Sequence, residues 1–210
     1  MLLSTHLPDG RPVLVIGWGD EGVQVLAEDG TPVGRPFADA ESGYGYVYAC
    51  AVGEDAHGRK IVATAHSRGR VALWDLTDRR LIEQPEIGGG TVQSLAFGQL
   101  VDGRRVLVCG GDRAVHVWDL AARRPVCPPL IGHEYGAVAL AMVRLPDGAR
   151  VLVTAGVDAT LQLWEPTTGH HLRTIALHAA ATCLTPISPE ALAVGTTQGL
   201  LRIDLRVAAT

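Results

Sequence analysis

The sequence predicts an all-β chain of repeated antiparallel units, and three observations carry that prediction. First, a strand motif closing on tryptophan recurs as Val71-Ala72-Leu73-Trp74-Asp75-Leu76, Val115-His116-Val117-Trp118-Asp119-Leu120 and Leu161-Gln162-Leu163-Trp164-Glu165-Pro166. Trp118 follows Trp74 by 44 residues, and Trp164 follows Trp118 by 46. Second, Asp-Gly turns before β-branched runs keep step with it: Asp9-Gly10 before Val13-Leu14-Val15-Ile16, Asp102-Gly103 before Val106-Leu107-Val108, and Asp147-Gly148 before Val151-Leu152-Val153. Asp-Gly supplies the positive φ of a tight hairpin, and β-branched residues suit pleated, buried strands. Third, no stretch beyond about ten residues keeps a 3.6-residue apolar period.

Each repeat reads as four short strands, and the repeats make one domain over residues 1–210. The first, approximately 1–37, opens on the hairpin at Asp9-Gly10 and holds a faint copy of the closing motif, Gly22-Val23-Gln24-Val25-Leu26. The second, 38–87, and the third, 88–131, close on Trp74 and Trp118. The fourth, 132–177, closes on Trp164. The fifth, 178–210, has Leu201-Arg202-Ile203-Asp204-Leu205 with Ile203 in place of tryptophan, 39 residues after Trp164, and stops after its third strand. That makes nineteen strands expected, five units of four less one.

Composition narrows the function classes. With 47% hydrophobic and 19% charged residues, the chain can bury a core and is not disordered. A net charge of -4 offers no basic footprint for nucleic acid, and no apolar run approaches a membrane span, so neither partner is expected and the localisation is read as cytoplasmic. Lys60 is the single lysine among 18 basic residues, a bias of GC-rich, bacterial type. Cys50, Cys109, Cys127 and Cys183 form no C-x-x-C pair and are read as buried thiols.

These residues resemble the WD40-repeat family, whose unit carries Gly-His before its first strand, Ser or Thr in the second, Asp in the following turn and Trp-Asp closing the third. The fourth unit matches best, with Gly132-His133, Thr154, Asp158 and Trp164-Glu165 in order. The resemblance implies a β-propeller of about five four-stranded blades, the last incomplete. It also implies a hydrogen-bonded tetrad of His133, Asp158, Thr154 and Trp164. Partial tetrads remain as Thr64 and Trp74 in unit two, where Arg68 replaces Asp, and as Asp112 and Trp118 in unit three, where Val108 stands for Thr. Unit five keeps His178 but has Ala193, Thr197 and Ile203 at the other places.

Rival chemistries fit less well. Gly17-Trp18-Gly19-Asp20-Glu21-Gly22 matches a dinucleotide fingerprint, but Val23-Gln24-Val25-Leu26 alternates like a strand where that fingerprint needs a helix. His133, Asp158 and Thr154 mimic a hydrolytic triad without an exposed nucleophile. Neither His66 nor His170-His171 has a second ligand at a recognised metal spacing. No catalytic residue, metal site or cofactor is expected.

The expected function is a non-catalytic scaffold that binds a protein or peptide through loops at the end of the propeller where His133 and Asp158 meet. Trp18, Tyr44, Tyr46, Arg68, Arg113 and Tyr135 are the candidate contacts there, being residue types that supply interface anchors. The alternatives are a propeller enzyme, hydrolase- or lactonase-like with a metal in a central channel, and a lectin-like binder. The strand count leaves ring closure open: five units close tightly, the open ends pair with another copy or a partner, or the chain is a piece of a longer propeller.

Overall fold

The computed structural model describes residues 2–18, 22–37, 46–87, 90–112 and 114–205. Eighteen strands form five antiparallel sheets in sequence order. The first sheet holds β1 (Leu2–His6), β2 (Pro12–Trp18) and β3 (Gly22–Ala27). The second holds β4 (Val47–Glu54), β5 (Lys60–His66), β6 (Val71–Asp75) and β7 (Leu81–Glu83). The third comprises β8 (Val92–Gln99), β9 (Arg105–Gly111), β10 (Val115–Asp119) and β11 (Arg124–Pro125). The fourth comprises β12 (Ala137–Arg144), β13 (Arg150–Gly156), β14 (Thr160–Trp164) and β15 (His171–Ala176). The fifth ends the chain with β16 (Ala181–Ser188), β17 (Ala191–Thr196) and β18 (Gly199–Asp204).

One expected strand is absent as such: the fourth of the first unit is reduced to isolated bridges, Val23↔Phe37 and Leu26↔Pro32. Pro32 and Pro36 lack the N–H a continuous ladder would need. Val23-Gln24-Val25-Leu26 lies in β3, paired with β2, so no helix follows Gly22 and the dinucleotide fingerprint is not met. The hairpin glycines Gly10, Gly58, Gly103 and Gly148 all have φ between +76° and +88°, the conformation that makes glycine the residue of choice at this turn.

Alternation along the strands gives every sheet two unlike faces. The rear face, toward the preceding sheet, carries the closing tryptophan; the forward face carries mostly alanine and branched aliphatics. Trp74 packs on Val13, Val15, Val23 and Val25 of the first sheet. Leu107 and Trp118 pack on Ala49, Ile61, Ala63 and Leu73 of the second. Leu152 and Trp164 meet Val106, Val108, Val115 and Val117 of the third. Leu192, Val194 and Ile203 meet Val153, Ala155, Leu161 and Leu163 of the fourth. Inner strands β4, β8, β12 and β16 contact one another in that order.

Among the described residues no such cluster joins the fifth sheet to the first, so the five blades form an arc with two uncovered faces. The rear face of the first sheet presents Leu2, Leu14, Ile16 and Leu26, with Leu2 at 63% exposure. The forward face of the fifth presents Cys183, Thr185, Ile187, Leu200 and Arg202, with Leu200 at 75%. This placement corrects the reading of all four cysteines as buried. Cys50 and Cys109 are buried between sheets, whereas Cys183 is exposed on the uncovered face and Cys127 lies half-covered after β11.

Candidate functional site

In the fourth sheet, His133, Asp158, Thr154 and Trp164 come together around one hydroxyl. Trp164 Nε1 donates to Thr154 Oγ1 at 3.1 Å, and His133 Nε2 lies 2.8 Å from the same oxygen. His133 Nδ1 lies 3.0 Å from Asp158 Oδ2. A carboxylate only accepts, so the imidazole carries its proton on Nδ1, and Nε2 accepts the Thr154 hydroxyl proton. Burial pushes the Asp158 carboxyl up, but hydrogen bonds from Thr160, His133 and the Glu134 backbone N–H outweigh it and hold the group below the ordinary carboxylate value. Gly132 is dictated by close approach: a Cβ there would lie 2.9 Å from the Trp164 ring.

The second sheet reaches the same end by another route. Trp74 Nε1 donates to Thr64 Oγ1 at 2.8 Å, and His66 Nε2 lies 2.7 Å from that oxygen. His66 comes from the end of β5 itself, not from the preceding loop. Its counterpart by register is Gly156, where a Cβ would lie 2.5 Å from His133 Nδ1. The space is therefore filled either by a loop histidine over a glycine or by a strand histidine. Sequence reasoning treated His66 only as a metal candidate; its position two residues after the threonine was the available signal.

In the third sheet register overturns the assignment of Val108. His116 pairs with Cys109 as Gln162 pairs with Thr154, so Cys109 holds the threonine place and Val108 faces the fourth sheet. A thiol is a poor acceptor. Trp118 Nε1 accordingly remains buried without a hydrogen-bond partner. In the fifth sheet the same logic puts Val194, not Ala193, at that place, and His178 is exposed.

The carboxylate after each tryptophan also repeats a task. Asp75 accepts from Thr77 and Asp78 N–H, Asp119 from Ala121 and Ala122 N–H, and Glu165 from Thr167 and Thr168 N–H. Each closes the turn into the outer strand.

Of the candidate contacts, Tyr46, Arg68 and Tyr135 are exposed at the His133–Asp158 end. Arg68 sits in a short 3-10 turn at φ 65°. Tyr46 is 5.0 Å, centroid to centroid, from Tyr48, an exposed tyrosine that sequence reasoning missed because it lies inside a strand. Tyr44, Arg113 and the Trp18 side chain lie outside the described residues. Asp112 accepts the Thr91 N–H at 3.1 Å and meets no histidine. Thr154 is fully buried, and among the described residues no three His, Cys, Asp or Glu side chains gather in a metal-sized cluster. Among the described residues no helix is long and apolar enough to cross a membrane.

The opposite end of the arc holds an open cavity of about 370 Å³, lined by Glu54, Lys60, Phe97, Arg105, Met142 and Arg150 with Gly53, Gly98 and Gln99. Lys60 Nζ contacts Glu54 at 2.8 Å, Arg105 Nη2 contacts Glu54 at 2.9 Å, and Arg150 Nη2 contacts Gln99 at 3.3 Å. The last two bonds cross from one sheet to the next.

No family model matches the chain. It is 28% identical over 126 residues to nuclear distribution protein PAC1 of Arthroderma benhamiae, covering 57% of this chain and 27% of that protein. Protein groucho of Drosophila melanogaster is 29% identical over 143 residues, covering 68% of this chain and 18% of groucho. The chain thus spans about a quarter or less of these relatives. Among solved structures, the WD40 β-propeller domain of Doa1 superposes with a TM-score of 0.70 at 20% identity, covering 94% of this chain and 62% of that one. The computationally designed Ika8 protein gives a TM-score of 0.70 at 22% identity, covering 91% of this chain and 55% of that one. With five antiparallel sheets in sequence order and these superpositions, the chain has the β-propeller fold, here of five blades.

Proposed function

We propose that the chain is a non-catalytic, cytoplasmic protein-interaction module, and the observation that carries this reading is its pair of uncovered blade faces. The face left open on the fifth sheet is the kind that each inner blade offers to the next. The face left open on the first is the kind that each offers to the one before, with Leu26 at the tryptophan place. Exposed aliphatic residues on a rigid sheet favour a protein partner, and one chain carrying both halves of an interface favours association of copies end to end. Tyr46, Arg68 and Tyr135 from loops, with Tyr48 from β4, supply a second surface for a protein or peptide. The hydrolytic alternative lacks support, since the Thr154 hydroxyl is buried and engaged by His133 and Trp164.

Light scattering across a concentration series tests the reading. Assemblies larger than one chain are expected, and Leu14→Asp and Leu200→Asp should each return them to monomer while leaving the circular dichroism spectrum unchanged. A monomer at every concentration that melts cooperatively would remove the end-to-end association and leave the loop surface to be tested by Tyr135→Ala against captured partners.

A further inference from the structure

The cavity at the end opposite His133 shows a charge imbalance that the fold does not need. Lys60, Arg105 and Arg150 begin the second strands of three successive blades, each 45 residues after the last. Their cross-strand partners at the ends of the inner strands are Glu54, Gln99 and Arg144. In the second blade the pair is an ion pair, Glu54 with Lys60, and Glu54 also takes Arg105 from the third. In the fourth blade it is Arg144 directly opposite Arg150, and like charges so placed on a ladder repel. Among the described residues neither arginine meets a carboxylate: Arg150 has only the neutral Gln99 amide, and Arg144 is exposed. Asp147, in the turn between them, is engaged by the Ala149 N–H and makes no ion pair. Turn carboxylates in three earlier blades are each clamped by an arginine, Asp9 by Arg11, Asp55 by Arg59 and Asp102 by Arg104, but Ala149 stands at that place here.

We propose that Arg150, which lines this cavity, and its exposed ladder partner Arg144, which lies outside the lining, form an anion-binding site for the carboxylates of an acidic peptide segment lying along the cavity and over its rim. Paired guanidinium forks suit planar carboxylates, each of which can take two parallel N–H bonds. Phe97 and Met142, which line the same cavity, receive an apolar side chain beside the acidic ones. This deepens the protein-binding reading by naming a partner chemistry at a face separate from the loops and the blade ends. It is read by heat of peptide binding, whereas the end faces are read by mass, so either can fail alone.

The test is calorimetric titration of the full chain with the acetylated peptide Gly-Glu-Glu-Leu-Glu-Glu-Gly, with the Gln-for-Glu peptide as control. Saturable binding is expected, weakened about tenfold by Arg144→Gln or Arg150→Gln and left within about twofold by Arg173→Gln on the outer strand of the same blade. Because the arginine pair repels itself, Arg144→Gln should melt no lower than the parent chain. Equal binding of the Gln peptide, unchanged binding in both variants, or a lower melting temperature for Arg144→Gln would overturn the proposal. So would inorganic phosphate binding as tightly as the peptide, which would mark a site for small anions only.

Discussion

A threonine hydroxyl holds both the four-membered network of the fourth blade and the three-membered one of the second, because a hydroxyl can accept from an indole and donate to an imidazole at once. Removing it orphans two buried groups. Thr154→Val is expected to destabilise the chain by about 2–4 kcal/mol, more than the loss of one hydrogen bond, because Trp164 Nε1 and His133 Nε2 would both be left unpaired. Chemical denaturation with a fixed m-value would show it. The third blade offers the reverse experiment. Cys109→Thr gives Trp118 Nε1 the acceptor that the second and fourth blades provide, and should stabilise by about 1 kcal/mol, a rise in Tm of about 2–4 °C. Near-ultraviolet circular dichroism of the tryptophans would confirm that the packing is kept. No gain would mean that the indole site is too dry or too tight to accept the hydroxyl.

Turns decide how each element is held. The carboxylates after the tryptophans stand in for missing backbone partners where the chain enters the outer strand, and Asp119 adds an ion pair to Arg104 at 3.0 Å. Burial raises the Asp119 carboxyl, but N–H donors of Ala122 and Ala121 and the Arg104 guanidinium outweigh it and hold the group low. Asp158, Asp55 and Glu165 are likewise held below their ordinary values. A carboxyl lowered on folding binds fewer protons in the native than in the unfolded state. Its stabilisation is therefore fully present above the unfolded pKa of about 4 and is lost as pH falls through the folded value. Thermal melts from pH 7 down to 3 should fall steeply at the acid end, and Asp119→Asn should lower Tm at pH 7 while shallowing that fall. An unchanged slope would show that the turn carboxylates do not dominate acid unfolding. Between elements, Arg79 serves a similar purpose: its Nη2 donates to Val33 O at 2.7 Å and its guanidinium lies 4.7 Å over the Phe37 ring, clamping the second blade to the first.

At the scale of the whole molecule, a repeat protein is stabilised by interfaces between neighbours, and its terminal repeats face solvent unless something covers them. Among the described residues the arc has four packed interfaces and two open faces of opposite kind. Apart from the assembly test, this predicts uneven stability: amides of β9 and β13, flanked by blades on both sides, should exchange with deuterium most slowly, and those of β1 and β18 fastest. Uniform protection along the chain would show that the ends are covered in solution.

The repeat, its strand character and the fourth blade's network could be read from the chain because they rest on local chemistry. Alternation, Asp-Gly turns and the Gly-His, Thr, Asp and Trp spacing are one-dimensional signals that survive without knowing any contact. What needed the tertiary structure was register and closure. Whether Val108 or Cys109 faces a tryptophan turns on a one-residue shift, which reverses the face of every side chain in a strand and leaves composition untouched. His66 replaces a loop histidine because His66 and Gly156 hold equivalent register positions in their two blades; the two-residue offset from the threonine is in the sequence, but that a side chain there reaches the space of the loop histidine is shown only by the packing. The Arg144–Arg150 pairing likewise appears only once β12 and β13 are laid side by side. Whether five units close depends on the accumulated rotation from blade to blade, a property of four packed interfaces together and of no single residue.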